Sequence, residues 1–223
     1  MKISKLLIIH PSRGRPVMAR ENANQLIDNR STNIPFRYIL SLDRDDPRLQ
    51  EYLNDLGLHF QTARMVEDNA SVIPAVNRAA ERLADEDLIF NMSDDIASTP
   101  GWDERLIRFI NGIPSEQYLV QPVDMDNGSR IPVIQIMSAA LYRSLGYVLP
   151  PMYFSMFADD DLIETCRRLN VVYPCSTLGF DHRHPCWGKG EWDDTYRREN
   201  APEAYASGLE IFNRRRSENF GIA

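Results

Sequence analysis

Short apolar runs alternate with segments of helical periodicity along most of this chain, and that alternation limits its fold more than any other feature. Strands separated by helices pair in parallel and are covered on both faces, which gives an α/β layer structure. Lys5 to His10 reads as a central strand, and Pro16 suits the first turn of a helix running through about Asn29. Phe36 to Leu42 reads as a second strand closing on Asp43-Arg44-Asp45-Asp46-Pro47, with a short helix to about Leu56 after it. Leu58 to Ala63 is expected as a third strand, and Ser71 to Ala84 as an amphipathic helix with Val72, Ile73, Val76, Ala80 and Leu83 on one face. Asp87 to Asn91 is then a fourth strand that delivers Ser93, Asp94 and Asp95 to its carboxyl end, the edge where open α/β sheets place ligands. Helices at about Asp103 to Ile110 and Asp160 to Leu169 flank a strand at Tyr118 to Val123, while Ile131 to Tyr142 mixes strand and helix signals. Beyond Gly179 the residues turn to His, Pro, Gly, Trp and charge, and residues 191–223 are expected as a C-terminal tail or helix.

A chain of 223 residues has room for one domain with a substantial core, so residues 1–223 are expected as a single unit with halves at about 1–98 and 99–190. Its 32 acidic against 25 basic side chains, a formal charge of −7, disfavour broad attraction to nucleic acid or anionic membrane and leave a local basic patch open. The apolar run Leu6 to Ile9 is far shorter than a signal-peptide core or a membrane span. Cys166, Cys175 and Cys186 are odd in number and lack CxxC spacing, which indicates neither a disulfide framework nor a thiolate zinc site. The expectation is a cytoplasmic protein with reduced thiols.

Adjacent carboxylates at a strand end, as at Asp94 and Asp95, repel each other unless a cation or a donor-rich loop offsets them. A divalent cation held there would neutralise a departing diphosphate; helix or turn capping is the competing explanation. Arg13 and Arg15 carry guanidinium forks suited to diphosphate oxygens, or are surface charge. Asp159, Asp160 and Asp161 crowd a helix start, where a carboxylate can take a proton from an attacking hydroxyl or merely cap the helix. His182 and His184 alternate, so an extended segment aims both to one side, where either could complete a metal shell or serve structure alone. An oxygen-rich site with one imidazole suits Mn2+ or Mg2+ rather than structural zinc. A literal acid-x-acid triplet, Asp124-Met125-Asp126, competes as the metal site, although Asn127-Gly128-Ser129 after it is also a good turn.

Several of these pieces, in order, resemble the GT-A glycosyltransferases, in particular those like family 2. Pro11-Ser12-Arg13-Gly14-Arg15-Pro16 looks like the opening nucleotide-binding loop, and Ser41-Leu42-Asp43 like the second-strand segment. Leu88 to Asp95 followed by Pro100-Gly101-Trp102 looks like the metal-binding strand end, and Ala158-Asp159-Asp160-Asp161-Leu162 with Arg167 and Arg168 like the acidic acceptor-side motif. The resemblance implies a single-domain GT-A fold, a mostly parallel central sheet flanked by helices, with a nucleotide-sugar-binding half followed by an acceptor-side half. It implies a metal-dependent, hexosyltransferase-like enzyme that moves a sugar, with inversion, from a nucleotide-diphosphate donor, UDP-sugar by default, to a hydroxyl of a glycan or other acceptor. Pro11, Ser12, Arg13 and Arg15 would meet the donor, and Asp43 its base unless it is a solvated turn residue. Asp95 would ligate the metal, and Asp94 would contact the donor ribose or assist the metal. The base would be Asp160, with Asp159 next, and the late histidine His182 ahead of His184. The chain departs from the family in carrying Ser93 where the acid-x-acid triplet begins with a carboxylate.

Two other classes compete. A sugar-phosphate nucleotidyltransferase shares the alternating layout but would show a glycine-rich loop after the first strand, where only Gly14 occurs. A non-catalytic nucleotide-sugar-binding protein would explain Ser93. Trp187-Gly188-Lys189-Gly190 has the composition of a closing loop or of a plain surface loop, and Arg214-Arg215-Arg216 reads as a solvated helix face or an anion contact.

Overall fold

In the computed structural model, which describes residues 3–59, 61–125, 128, 130 and 133–222, the first strand β1 (Leu6–Ser12) lies inside one sheet between β2 (Phe36–Asp43) and β4 (Leu88–Asn91), both parallel to it. Leu6-Leu7-Ile8-Ile9 is apolar on both faces because both faces are covered. Leu6 and Ile8 pack in the layer with α1 (Pro16–Asp28) and α4 (Trp102–Asn111), whereas Leu7 and Ile9 pack in the opposite layer with α3 (Val72–Ala80), α5 (Ala139–Leu145) and α6 (Ala158–Arg168). The strand period of two thus divides one run between two cores.

The sheet runs β3-β2-β1-β4-β7-β6-β8-β5, with β3 (Thr62–Glu67) at one edge and β5 (Ile96–Ala97) at the other. β6 (Leu119–Asp124) and β8 (Val172–His182) are parallel to each other, while β7 (Gln135–Ser138) pairs antiparallel with β4 and β6, and β5 antiparallel with β8. The remaining helices are α2 (Leu49–Asn54), α7 (Asp194–Glu199) and α8 (Pro202–Ser217). No helix among the described residues is long and apolar enough to cross a membrane.

One expectation is corrected, one mixed segment is explained and one unread strand is added. The third strand is Thr62–Glu67 rather than Leu58 to Ala63, because residues just before it turn, with the Gly57 N–H donating to the Asp55 carboxylate at 2.8 Å. As an edge strand with Ala63 and Arg64 exposed, β3 lacks the apolar run that marks its neighbours. The mixed signal of Ile131 to Tyr142 is physical: β7 passes directly into α5, and Ser138 caps that helix by accepting the Leu141 N–H at 3.1 Å. β8 spans eleven residues that the alternation does not reveal, since only Cys175, Leu178 and Phe180 of it are buried.

Asp103 in the first turn of α4 ties the loop after α1 to that helix. Its fully buried carboxylate accepts the Ser31 N–H at 2.9 Å, the Thr32 N–H at 3.0 Å and the Thr32 hydroxyl at 2.5 Å, with Arg30 at 3.6 Å. Burial opposes ionisation, yet the Thr32 and Ser31 donors hold its pKa below the usual carboxylate range. A depressed folded-state value contributes stability that is present above the unfolded value and lost as pH falls through the folded one. Asp103→Ala is expected to lower unfolding free energy at pH 7 by about 2–4 kcal/mol, read from the urea midpoint, with a smaller loss at pH 3.

Candidate functional site

The carboxyl ends of β1, β2 and β4 open on a cleft of about 580 Å3. The end of β1 and the following loop give it Pro11, Ser12, Arg13 and Arg15; β2 gives Asp43; the turn after β4 gives Asp94 and Asp95. Asp159 and Asp160 enter from the start of α6, and His182 and His184 from the end of β8 and beyond. Chain that follows, in and around α7, adds Thr195, Tyr196, Arg198 and Glu199.

The two adjacent aspartates face different partners. Asp94 Oδ1 meets His10 Nε2 at 2.8 Å, and its Oδ2 accepts the Ser12 hydroxyl at 3.0 Å. Behind them the Arg15 N–H donates to the Tyr52 hydroxyl at 2.7 Å, and that hydroxyl lies 2.8 Å from Ser12 Oγ, so a relay of donors ends on Asp94. The Tyr38 hydroxyl lies 2.7 Å from the other ring nitrogen of His10, and burial pushes its phenol pKa well up, which keeps it protonated.

Asp95 turns toward β8. Its Oδ1 accepts the Ser93 hydroxyl at 2.5 Å, its Oδ2 accepts the Tyr196 hydroxyl at 3.0 Å, and His182 Nε2 is 3.5 Å from Oδ2. The pairing of Ile96 with His182 fixes that approach, and the Arg183 N–H closes it on the Asp95 carbonyl at 2.8 Å. Burial would raise the Asp95 carboxyl, but His182, Ser93 and Tyr196 outweigh it and hold the group well below the usual carboxylate range. His184 lies 5.5 Å from the His182 ring, with Tyr196 at 4.6 Å, and its Nδ1 accepts the Cys186 N–H at 3.1 Å. Burial lowers its pKa, which favours the neutral ring.

Among the described residues no group of three or more His, Cys, Asp or Glu side chains converges as a ready metal site. What the structure offers is a pair, Asp95 and His182, one oxygen and one nitrogen donor on the cleft wall. Such a pair fits Mn2+ or Mg2+, ions that take remaining positions from water and substrate phosphate. Asp124 of the competing triplet accepts the His182 N–H at 3.2 Å and does not line the cleft; Asp126 lies outside the described residues.

The arginines are engaged within the protein. Arg13 bridges Asp43 at 3.0 Å and Asp45 at 2.5 Å. Arg15 grips Asp193 through both Nε (2.6 Å) and a terminal nitrogen (2.7 Å), with its guanidinium 3.8 Å over the Tyr196 ring. Burial raises the Asp43 pKa, against the donors Asn69 and Arg13. In the acidic triplet, Asp161 is turned into the core, where Tyr153 (2.8 Å), Thr165 (3.1 Å) and Arg215 (3.0 Å) donate to it. Of the three arginines near the end, then, Arg215 is a core partner rather than a solvated group. Asp159 is half-buried and accepts the Asp160 N–H at 3.0 Å; burial, then the charge of Asp160, raise its pKa to about 6. Asp160 is exposed.

No protein-family model matches the sequence, and no curated protein matches it. Solved structures do match. The chain superimposes on S. aureus TarS 1-349 in complex with UDP with a TM-score of 0.59 at 14% identity, over 79% of this chain and 59% of that one. It also matches Drosophila beta-1,4-galactosyltransferase 7 in complex with manganese, UDP-Gal and xylobiose (TM-score 0.55, 10% identity, 89% and 80% covered). A third match is the mannosyltransferase PcManGT from Pyrobaculum calidifontis with GDP-Man and Mn2+ (TM-score 0.55, 10% identity, 97% and 76% covered). The chain has a GT-A fold. It spans about three fifths of the TarS 1-349 structure.

On this GT-A scaffold, the groups that the sequence does not single out are His10, Tyr38 and Tyr52 behind Asp94, and the α7 side chains. Thr195 donates to the Arg13 carbonyl at 2.8 Å, and Gly14 beside it has a φ of 71°, where an added Cβ would stand 3.3 Å from the Thr195 hydroxyl. Arg198 lies 3.8 Å from Asp43 and 3.7 Å from Glu199, whose buried Oε2 has no hydrogen-bond partner among the described residues. Burial raises the Glu199 carboxyl to about 7, against Arg198 and with Asp43. A raised folded value makes the charged form the costly one, so the penalty is absent below about 4.5, grows between there and 7, and is full above. Glu199→Gln is expected to stabilise the protein by roughly 2 kcal/mol at pH 8 and by almost nothing at pH 4.5, measured by denaturant titration at both pH values.

Proposed function

We infer that this protein transfers a sugar from a nucleotide-diphosphate donor to an acceptor hydroxyl. The observation that carries the reading is the approach of Asp95 to His182 in a cleft that also holds Asp43, Arg13 and the half-buried Asp159. Structures of the same fold hold UDP, UDP-Gal or GDP-Man, two of them with manganese, which supports a nucleotide-sugar partner and a divalent ion.

Asp95 and His182 would hold that ion, which when bound neutralises charge on the leaving diphosphate. Asp94, held by His10 on one oxygen and Ser12 on the other, fixes the turn and would present its remaining lone pairs to the donor. Asp43 and Arg13 stand where residues 1–98 would hold the base. Residues 99–190 would hold the acceptor, and Asp159 is our choice for the base. The sequence placed Asp160 first, but Asp159 combines cleft access with a pKa of about 6, basic enough to accept a proton and ionised at neutral pH. The acceptor oxygen forms a bond to the anomeric carbon, the bond from that carbon to the diphosphate oxygen breaks, and Asp159 takes the hydroxyl proton. A base opposite the leaving group corresponds to inversion.

Melting temperature measured with UDP, GDP, CDP and dTDP sugars, with and without Mn2+, is expected to rise for one nucleotide and more with the metal. Asp95→Asn should cancel the metal-dependent part of that rise and cut turnover about a thousandfold, roughly 4 kcal/mol of transition-state stabilisation. Unchanged turnover in that variant would move the metal elsewhere. For the stabilising donor, log kcat/KM should fall with unit slope as pH drops below about 6, and Asp159→Asn should remove turnover; a flat acid limb would exclude Asp159 as the base.

A further inference from the structure

Asp160 borders two hollows. Beside the donor cleft a cavity of about 480 Å3 opens between α6, α8 and β6, and Asp160 lines both. Ile163 and Phe212 give this second cavity apolar wall, and Arg130, Arg167 and Arg216 converge on it. The charge there reverses that of the chain, which carries −7 overall. Among the described residues lining it, the acidic groups against the three guanidiniums are Asp160 and Glu164, and Glu164 already accepts from Arg167 at 2.5 Å and from Arg168 at 2.9 Å. Arg216 donates to the neutral Asn213 side chain at 2.8 Å. Arg130 is exposed, and its guanidinium forms no hydrogen bond or ion pair among the described residues.

We propose that this cavity is the anion subsite of the acceptor: a hydroxyl compound bearing a phosphate seats that group among Arg130, Arg167 and Arg216 and extends its hydroxyl past Asp160 toward the donor. Guanidinium forks match the oxygen pairs of a phosphate, and several convergent forks suit a dianion better than a single carboxylate. The volume fits a sugar phosphate. The phosphate is a handle and no bond to it changes. Asp160, exposed between two sites, then keeps the anionic end from sliding into the donor cleft by like-charge repulsion. The inference rests on the donor reading above, because only that reading makes Asp160 the boundary between substrates.

The test is calorimetric titration of the full chain, saturated with the nucleotide diphosphate that raises its melting temperature and with Mn2+, using glucose, glucose 6-phosphate and the phosphodiester glycerophosphoglycerol. At least one phosphate compound is expected to bind tenfold or more tightly than glucose, and more weakly at high salt. Preference for the monoester indicates a free sugar phosphate, and preference for the diester a phosphodiester chain; both support the site. Arg130→Ala and Arg216→Ala should each weaken that binding about tenfold while leaving the nucleotide-induced melting shift intact. Equal binding of glucose and the phosphate compounds, insensitivity to both substitutions, or displacement of phosphate by the nucleotide would overturn the proposal. If no nucleotide raises the melting temperature while glucose 6-phosphate binding to the unsaturated chain still depends on Arg130 and Arg216, the donor reading has failed and the acceptor role falls with it, although the cavity binds phosphate.

Discussion

The antiparallel pairing of Ile96 with His182 is the constraint on which the site depends. β5 is only two residues long, yet it docks the turn after β4 onto the end of β8 and so brings an imidazole to Asp95 across more than eighty residues of chain. Asp124 supports the same junction from β6 by accepting the His182 N–H. Asp95 and His182 therefore come together only when both halves of the sheet are in register.

α7 completes what the sheet begins. Asp193 caps that helix by accepting the Tyr196 N–H at 2.8 Å and grips Arg15 with the same carboxylate, so the capping group also pins the loop after β1. Tyr196 is then held between the Arg15 guanidinium on its face and Asp95 at its hydroxyl. These contacts occupy groups that a bound donor and ion would use. A donor and ion bound as proposed would exchange these internal hydrogen bonds for ligand bonds.

What the sequence revealed follows from burial. β1, β2 and β4 are covered on both faces and carry the apolar runs Leu6 to Ile9, Tyr38 to Leu40 and Leu88 to Phe90, and the segments at their carboxyl ends bring Ser12, Asp43 and Asp95 to one cleft. β8 stayed hidden because Pro174 and Gly179 interrupt it and a register shift between Gln121 and Val123 breaks its pairing with β6. Tyr196 and Glu199 were illegible for another reason: Tyr196 meets Asp95 across 101 positions, and no local pattern encodes so remote a contact. His10 sat in plain view at the end of an apolar run, but its role appears only when Asp94 is seen to need a donor.

That need resolves the apparent defect of the motif. Two neighbouring carboxylates cannot share one low-dielectric pocket without a severe shift in one of them. In this chain the turn between β4 and β5, closed by the Ile96 N–H on the Ser93 carbonyl at 3.2 Å, sends them to different sides, Asp94 to the partners on β1 and Asp95 to those on β8 and α7. Ser93 fits the same logic. A third carboxylate there would press on Asp95 from the side where a hydroxyl instead donates, so the serine removes a repulsion and supplies a hydrogen bond, leaving one carboxylate beside one imidazole on the cleft wall.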